Sequence, residues 1–86
     1  MQSVQVTISH KDGMHTRPSS VFVREAAKFK SEIFLKSNEV SVNGKSIMGI
    51  LMLALGPGSM VELSAEGPDE TEALQVLSAV LSGDFK

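Results

Sequence analysis

The chain has 86 residues, 42 % of them hydrophobic, a net charge of −2 and no cysteine. That length makes a single domain, residues 1–86, too small to enclose a deep catalytic cavity. The missing cysteines exclude disulfides and thiolate metal sites, and an acidic balance without a basic run argues against nucleic acid as a partner.

Val4, Val6 and Ile8 alternate with Gln5 and Thr7, the period-two pattern of a half-buried strand. A polar loop, Ser9 to Gly13, follows. Pro18 then stands where a first helical turn accepts it, and Val21, Phe22, Ala26 and Phe29 recur at helical spacing. The pattern predicts a helix over about Thr16 to Lys28. Ile33 to Lys36 and Val40 to Val42 read as two strands of a hairpin, joined through Ser37-Asn38-Glu39. Ser46 precedes Ile47 to Leu53, a short apolar helix with the serine as its N-cap, which Gly56-Pro57-Gly58 ends. Met60 to Ala65 alternates as another strand. Gly67-Pro68-Asp69 opens the last helix, whose buried stripe is Ala73, Leu74, Leu77, Val80 and Leu81, with Gly83 as its stop.

The order β-α-β-β-α-β-α predicts an α+β fold, an open-faced sandwich of a four-stranded antiparallel sheet with three helices on one face. The longest apolar-rich run, Ile47 to Leu55, is too short to span a bilayer. The stretch Met1 to Val6 lacks the basic-then-apolar pattern of a signal peptide. The expectation is a cytoplasmic protein with no membrane insertion.

His15 sits in Gly13-Met14-His15-Thr16-Arg17-Pro18, where a loop becomes a helix. Unpaired backbone N–H groups and the positive helix end gather there and favour an anion. The same field disfavours imidazolium, so the ring is expected to be neutral and nucleophilic near neutral pH. Arg17 offers a planar fork of donors to an added phosphoryl group, and Gly13 lets the chain turn without a side chain in the way. The bland alternative is a histidine that merely caps a helix. A metal reading of His10, Asp12 and His15 has no familiar ligand spacing, so no metal and no cofactor is expected. The chain also holds no Gly-x-x-x-x-Gly-Lys-Ser/Thr loop for a phosphate donor, which points to a carrier working between other proteins rather than an enzyme.

Gly13 to Ser20 resembles the phosphohistidine signature of the HPr family, the histidine-containing phosphocarriers of the bacterial sugar phosphotransferase system. Lys45-Ser46-Ile47-Met48-Gly49-Ile50 resembles the same family's regulatory serine segment, at the matching separation. The resemblance covers nearly the whole chain. It implies that His15 is phosphorylated on Nδ1, as a pros-phosphohistidine, by Enzyme I at the expense of phosphoenolpyruvate. It further implies transfer to EIIA domains of sugar permeases, with Arg17 pairing with the phosphate and the backbone N–H groups of Thr16 and Arg17 completing the cradle. A monomer is expected.

Ser46 also has a case of its own, since an N-cap hydroxyl lies beside free N–H groups that would stabilise a phosphate. The alternative is an ordinary capping serine. In family members that have a bifunctional HPr kinase/phosphorylase, the matching serine is the target of that enzyme. Ile47, Met48, Ile50, Leu51 and Met52 cannot all be buried on one stripe, so some are expected to form an exposed patch. Ile47, Met48 and Leu51 are the expected docking residues, with Phe29 and Leu53 inside. Ala54 departs from the glycine common in the family, Gly44 from alanine or leucine, and Leu55 to Gly58 from the usual loop.

Three other readings compete. One is a carrier of a regulatory or nitrogen-linked phosphotransferase branch. Another is an RRM-like nucleic-acid domain, which needs exposed sheet aromatics that a chain without tyrosine or tryptophan is poorly equipped to supply. The last is an interaction module without phosphorylation, against which the His15-Arg17 pair argues.

Overall fold

In the computed structural model the described residues are 1–11, 13–14 and 16–83. The elements are β1 (Gln2–Thr7), α1 (Thr16–Ala26), β2 (Glu32–Ser37), β3 (Val40–Asn43), α2 (Ile47–Met52), β4 (Met60–Glu66) and α3 (Glu70–Leu81). The four strands form one antiparallel sheet in the order β1-β4-β2-β3.

The alternation along the strands sorts their side chains between two faces. Val6 pairs with Val61, and Leu63 with Leu35, so Val6, Val61, Leu63, Ala65, Ile33 and Leu35 are all buried on one side. Gln5, Glu62, Lys36 and Ser41 run across the other side, where none of the four is buried. α1 and α3 pack against each other above the buried side, and α2 bridges α1 to the edge strand β3. The buried stripe of α3 is the expected one, Ala73, Leu74, Leu77, Val80 and Leu81. Among the described residues no helix is long and apolar enough to cross a membrane.

Boundaries differ from the expected ones by a residue or two. α1 ends at Ala26 instead of reaching Lys28, because the chain tightens there into turns with Lys28 N–H on Glu25 and Phe29 N–H on Ala26. Phe29 and Leu53, expected inside, are half-buried against the core. The two-residue β2–β3 turn places both Asn38 (φ 51°) and Glu39 (φ 65°) in the left-handed region, as the right-handed twist of a hairpin requires.

Asp69 stands at the N-cap position of α3 but its side chain makes no cap hydrogen bond. Its carboxylate instead accepts from the main-chain N–H groups of Lys30 (2.9 Å) and Ser31 (3.0 Å) and from the Ser31 hydroxyl. The Ser31 hydroxyl, followed by the Lys30 N–H, holds the Asp69 carboxyl below its ordinary range. The link between α1 and β2 is thereby fastened to the start of α3. The orphan N–H of Gly67 is met by Glu70 Oε1 at 3.0 Å.

Candidate functional site: the loop entering α1

The loop after β1 is anchored at several points before it reaches α1. His10 Nε2 donates to the Val80 carbonyl at 2.7 Å, and the Ser9 N–H reaches Leu81, so this loop meets backbone carbonyls at the end of α3. The role of Nε2 as donor follows from the partner, since a carbonyl only accepts. The Gly13 N–H bonds the His10 carbonyl at 3.0 Å, and the Met14 N–H bonds the Leu55 carbonyl at 2.7 Å. Gly13 itself has φ +77°, and a Cβ there would run into the Leu55 carbonyl oxygen and lie 2.8 Å from Gly56 Cα. Both backbone conformation and space therefore require glycine. The Met14 side chain is buried, only 3 % exposed.

α1 begins immediately afterwards. Thr16 and Arg17 occupy its first turn and both are exposed. Their N–H groups lie where a helix has no internal acceptor to offer, and the first turn carries no acidic side chain to compete for them. Pro18, next in line, has no N–H to orphan. The arrangement suits an anion held by backbone donors and the Arg17 guanidinium. His15 and Asp12 lie outside the described residues. Among those described, no group of three or more histidine, cysteine, aspartate or glutamate side chains could hold a metal.

Ser46 is the N-cap of α2, in extended conformation, with its hydroxyl oxygen accepting the Gly49 N–H at 3.1 Å. Behind it Ile50 is fully buried, Leu51 half-buried, and Ile47 (37 %), Met48 (70 %) and Met52 (77 %) are exposed. The apolar helix thus carries a surface patch, as its composition requires, and Met52 belongs to it as well as the expected Ile47 and Met48.

The periodicity of the sequence does not show the tertiary partners. The Met14–Leu55 bond brings the Leu55 to Gly58 loop against the loop ahead of His15. Ser19, fully buried on α1, donates its hydroxyl to the Met14 carbonyl at 3.0 Å. A serine in the first half of a helix on its apolar side was the available signal.

Comparison with known proteins agrees with this geometry. The family model described as the phosphotransferase-system HPr component phosphorylation site matches residues 2–82. The phosphocarrier protein HPr of Neisseria meningitidis serogroup B is 42 % identical over 85 residues, spanning 99 % of this chain and 96 % of that protein. The HPr-like protein Crh of Halalkalibacterium halodurans is 46 % identical over 81 residues, 94 % of this chain and 96 % of its own. The solved HPr structure from Thermoanaerobacter tengcongensis superposes with a TM-score of 0.93 at 44 % identity, covering 99 % of this chain and 96 % of that one. HPr from the same organism has also been solved as a dimer, with a TM-score of 0.76 at 42 % identity over the whole of both chains. With the fold, the loop and the sequence match in agreement, the chain belongs to the HPr family of phosphotransferase-system phosphocarriers.

Proposed function

We propose that this chain accepts a phosphoryl group on His15 Nδ1 from Enzyme I and passes it to EIIA domains of sugar permeases. The observation that carries the reading is the exposed first turn of α1, free of carboxylates, with Arg17 projecting from it directly behind the anchored Gly13–Met14 segment. In the accepting step the Nδ1 lone pair forms the P–N bond as the donor's bond to phosphorus breaks. In the delivering step that P–N bond breaks as the acceptor's forms. Thr16 and Arg17 N–H groups and the guanidinium neutralise charge on the phosphoryl oxygens throughout. The chain is a covalent intermediate and not a catalyst with a substrate pocket, and it acts as a cytoplasmic monomer. The exposed residues Ile47 and Met48, with Leu51 beside them, form the docking surface for Enzyme I and EIIA. Incubation with Enzyme I, phosphoenolpyruvate and an EIIA domain tests the reading: label is expected on this chain first and on EIIA afterwards, and an EIIA that stays unlabelled while this chain is charged would contradict the delivering step.

Ser46 supports a regulatory role beside the carrier role. Its hydroxyl is already placed at the positive end of α2, so a phosphate there is accommodated without refolding while it adds negative charge next to the apolar patch. HPr kinase/phosphorylase is the enzyme expected to act on it. Aspartate is itself a good N-cap, so Ser46→Asp is expected to keep stability while raising the KM of Enzyme I for this protein. Unaltered KM would count against regulation at Ser46.

A further inference from the structure

We infer that Ser19 is a positioning residue for phosphoryl transfer, acting through the peptide that joins Met14 to His15. The inference rests on the carrier reading of His15 and goes beyond it. Serine is an indifferent choice inside a helix, and when it sits there its hydroxyl usually turns back to the carbonyl three or four residues earlier, within the same helix. Ser19 does otherwise. Its side chain is fully buried, and it donates at 3.0 Å to the carbonyl of Met14, five residues back and outside α1. The bond therefore ties the helix to the loop in front of it.

Met14 is held from three directions. Its N–H is bonded to the Leu55 carbonyl at 2.7 Å, its side chain is 3 % exposed, and its carbonyl takes the Ser19 hydrogen bond. A peptide unit is planar, so a carbonyl whose direction is set also sets the direction in which the chain continues to the next residue. Ser19 thereby fixes the direction in which the main chain leaves Met14 ahead of the first turn of α1, where the phosphoryl oxygens would be received. An alanine at 19 would leave the Met14 carbonyl buried without its donor and free to rotate. Transfer depends on placement, and small displacements of a reacting group are costly.

The test compares wild type, Ser19→Ala and Leu63→Val in Enzyme I-dependent phosphorylation, well below the unfolding temperature of each. Leu63 is fully buried in β4, opposite Val4 and Leu35 in the sheet, and makes none of the hydrogen bonds that hold Met14, so its truncation supplies a loss of stability with those bonds left in place. Ser19→Ala is expected to lower kcat by about five- to tenfold with KM nearly unchanged, and Leu63→Val to leave both near wild type. The amide NMR resonance of His15, whose nitrogen lies in the same peptide plane as the Met14 carbonyl, is expected to shift in Ser19→Ala and not in Leu63→Val. Ser19→Ala kinetics equal to wild type, an unmoved His15 amide, or an equal slowing by Leu63→Val would each overturn the positioning role. If wild type takes up no phosphate on His15, the carrier reading fails and this inference with it. If wild type is charged and Ser19→Ala is charged equally fast, only the inference fails.

Discussion

The Met14 main-chain N–H donates to the Leu55 carbonyl at 2.7 Å, joining the loop ahead of α1 to the loop behind α2. Gly13 is wedged beside that bond at φ +77°, with no space for a Cβ against Leu55 and Gly56. Gly13→Ala is therefore expected to destabilise the fold by about 2 kcal/mol, from the left-handed conformation and the overpacking together. Thermal unfolding checks it, and a Tm within a degree or so of wild type would show that the loop relaxes freely.

Arg17 is exposed on the first turn of α1. Arg17→Ala is expected to leave the Tm close to that of wild type, since exposed substitutions change stability by about 0.5 kcal/mol or less. Under the proposed function, transfer from Enzyme I should nevertheless slow by about tenfold or more, because the guanidinium would meet charge on the phosphoryl oxygens. Arg17→Lys keeps the charge but not the fork and should recover only part of the rate. Rapid-quench measurement of the labelled protein decides it, and an unchanged rate for Arg17→Ala would remove Arg17 from the site.

Asp69 links stability to pH. Its folded pKa is lowered below the ordinary 3.8 by the Ser31 hydroxyl and the Lys30 N–H. A depressed folded pKa contributes stability that is fully present above the unfolded value and is lost as pH falls through that value toward the folded one. Asp69→Asn is expected to be less stable at neutral pH and to lose less on acidification through the carboxylate range. Urea unfolding at neutral pH and in that range measures the difference, and parallel pH profiles for the two proteins would contradict the assignment.

Two exposed residues sit in left-handed backbone without being glycine or asparagine: Ala54 at φ 53° and Glu39 at φ 65°. Each conformation is strained for a side chain, although glycine at the same site also costs entropy in the unfolded chain. Ala54→Gly and Glu39→Gly are each expected to stabilise by about 0.5–1 kcal/mol. A lower Tm for either variant would contradict the strain argument.

Most of the architecture was legible because each strand and helix carries its own period. The stripe Ala73, Leu74, Leu77, Val80, Leu81 is a local pattern, and so is the Ser46 cap with its bond to Gly49. The exposure of Met52 is not legible in the same way, since a short helix that is apolar all round gives no phase by which to rank its faces. Asp69 stands where the sequence opens the last helix, whereas its side-chain hydrogen bonds go to Lys30 and Ser31, residues brought near only by the fold. The Met14–Leu55 and Ser19–Met14 bonds are likewise products of tertiary packing and leave no local periodic trace. At the candidate site, then, the need for Gly13 and the place of Arg17 in the first turn of α1 could be read in advance, and the means by which Met14 is held could not.

The central claim is that His15 carries the phosphoryl group, and the most direct measurement charges wild type and His15→Ala side by side with Enzyme I and labelled phosphoenolpyruvate. Wild type should acquire an acid-labile, base-stable phosphate on His15 Nδ1, and His15→Ala should acquire none while remaining folded. A His15→Ala protein that takes up label at the wild-type rate would contradict the account.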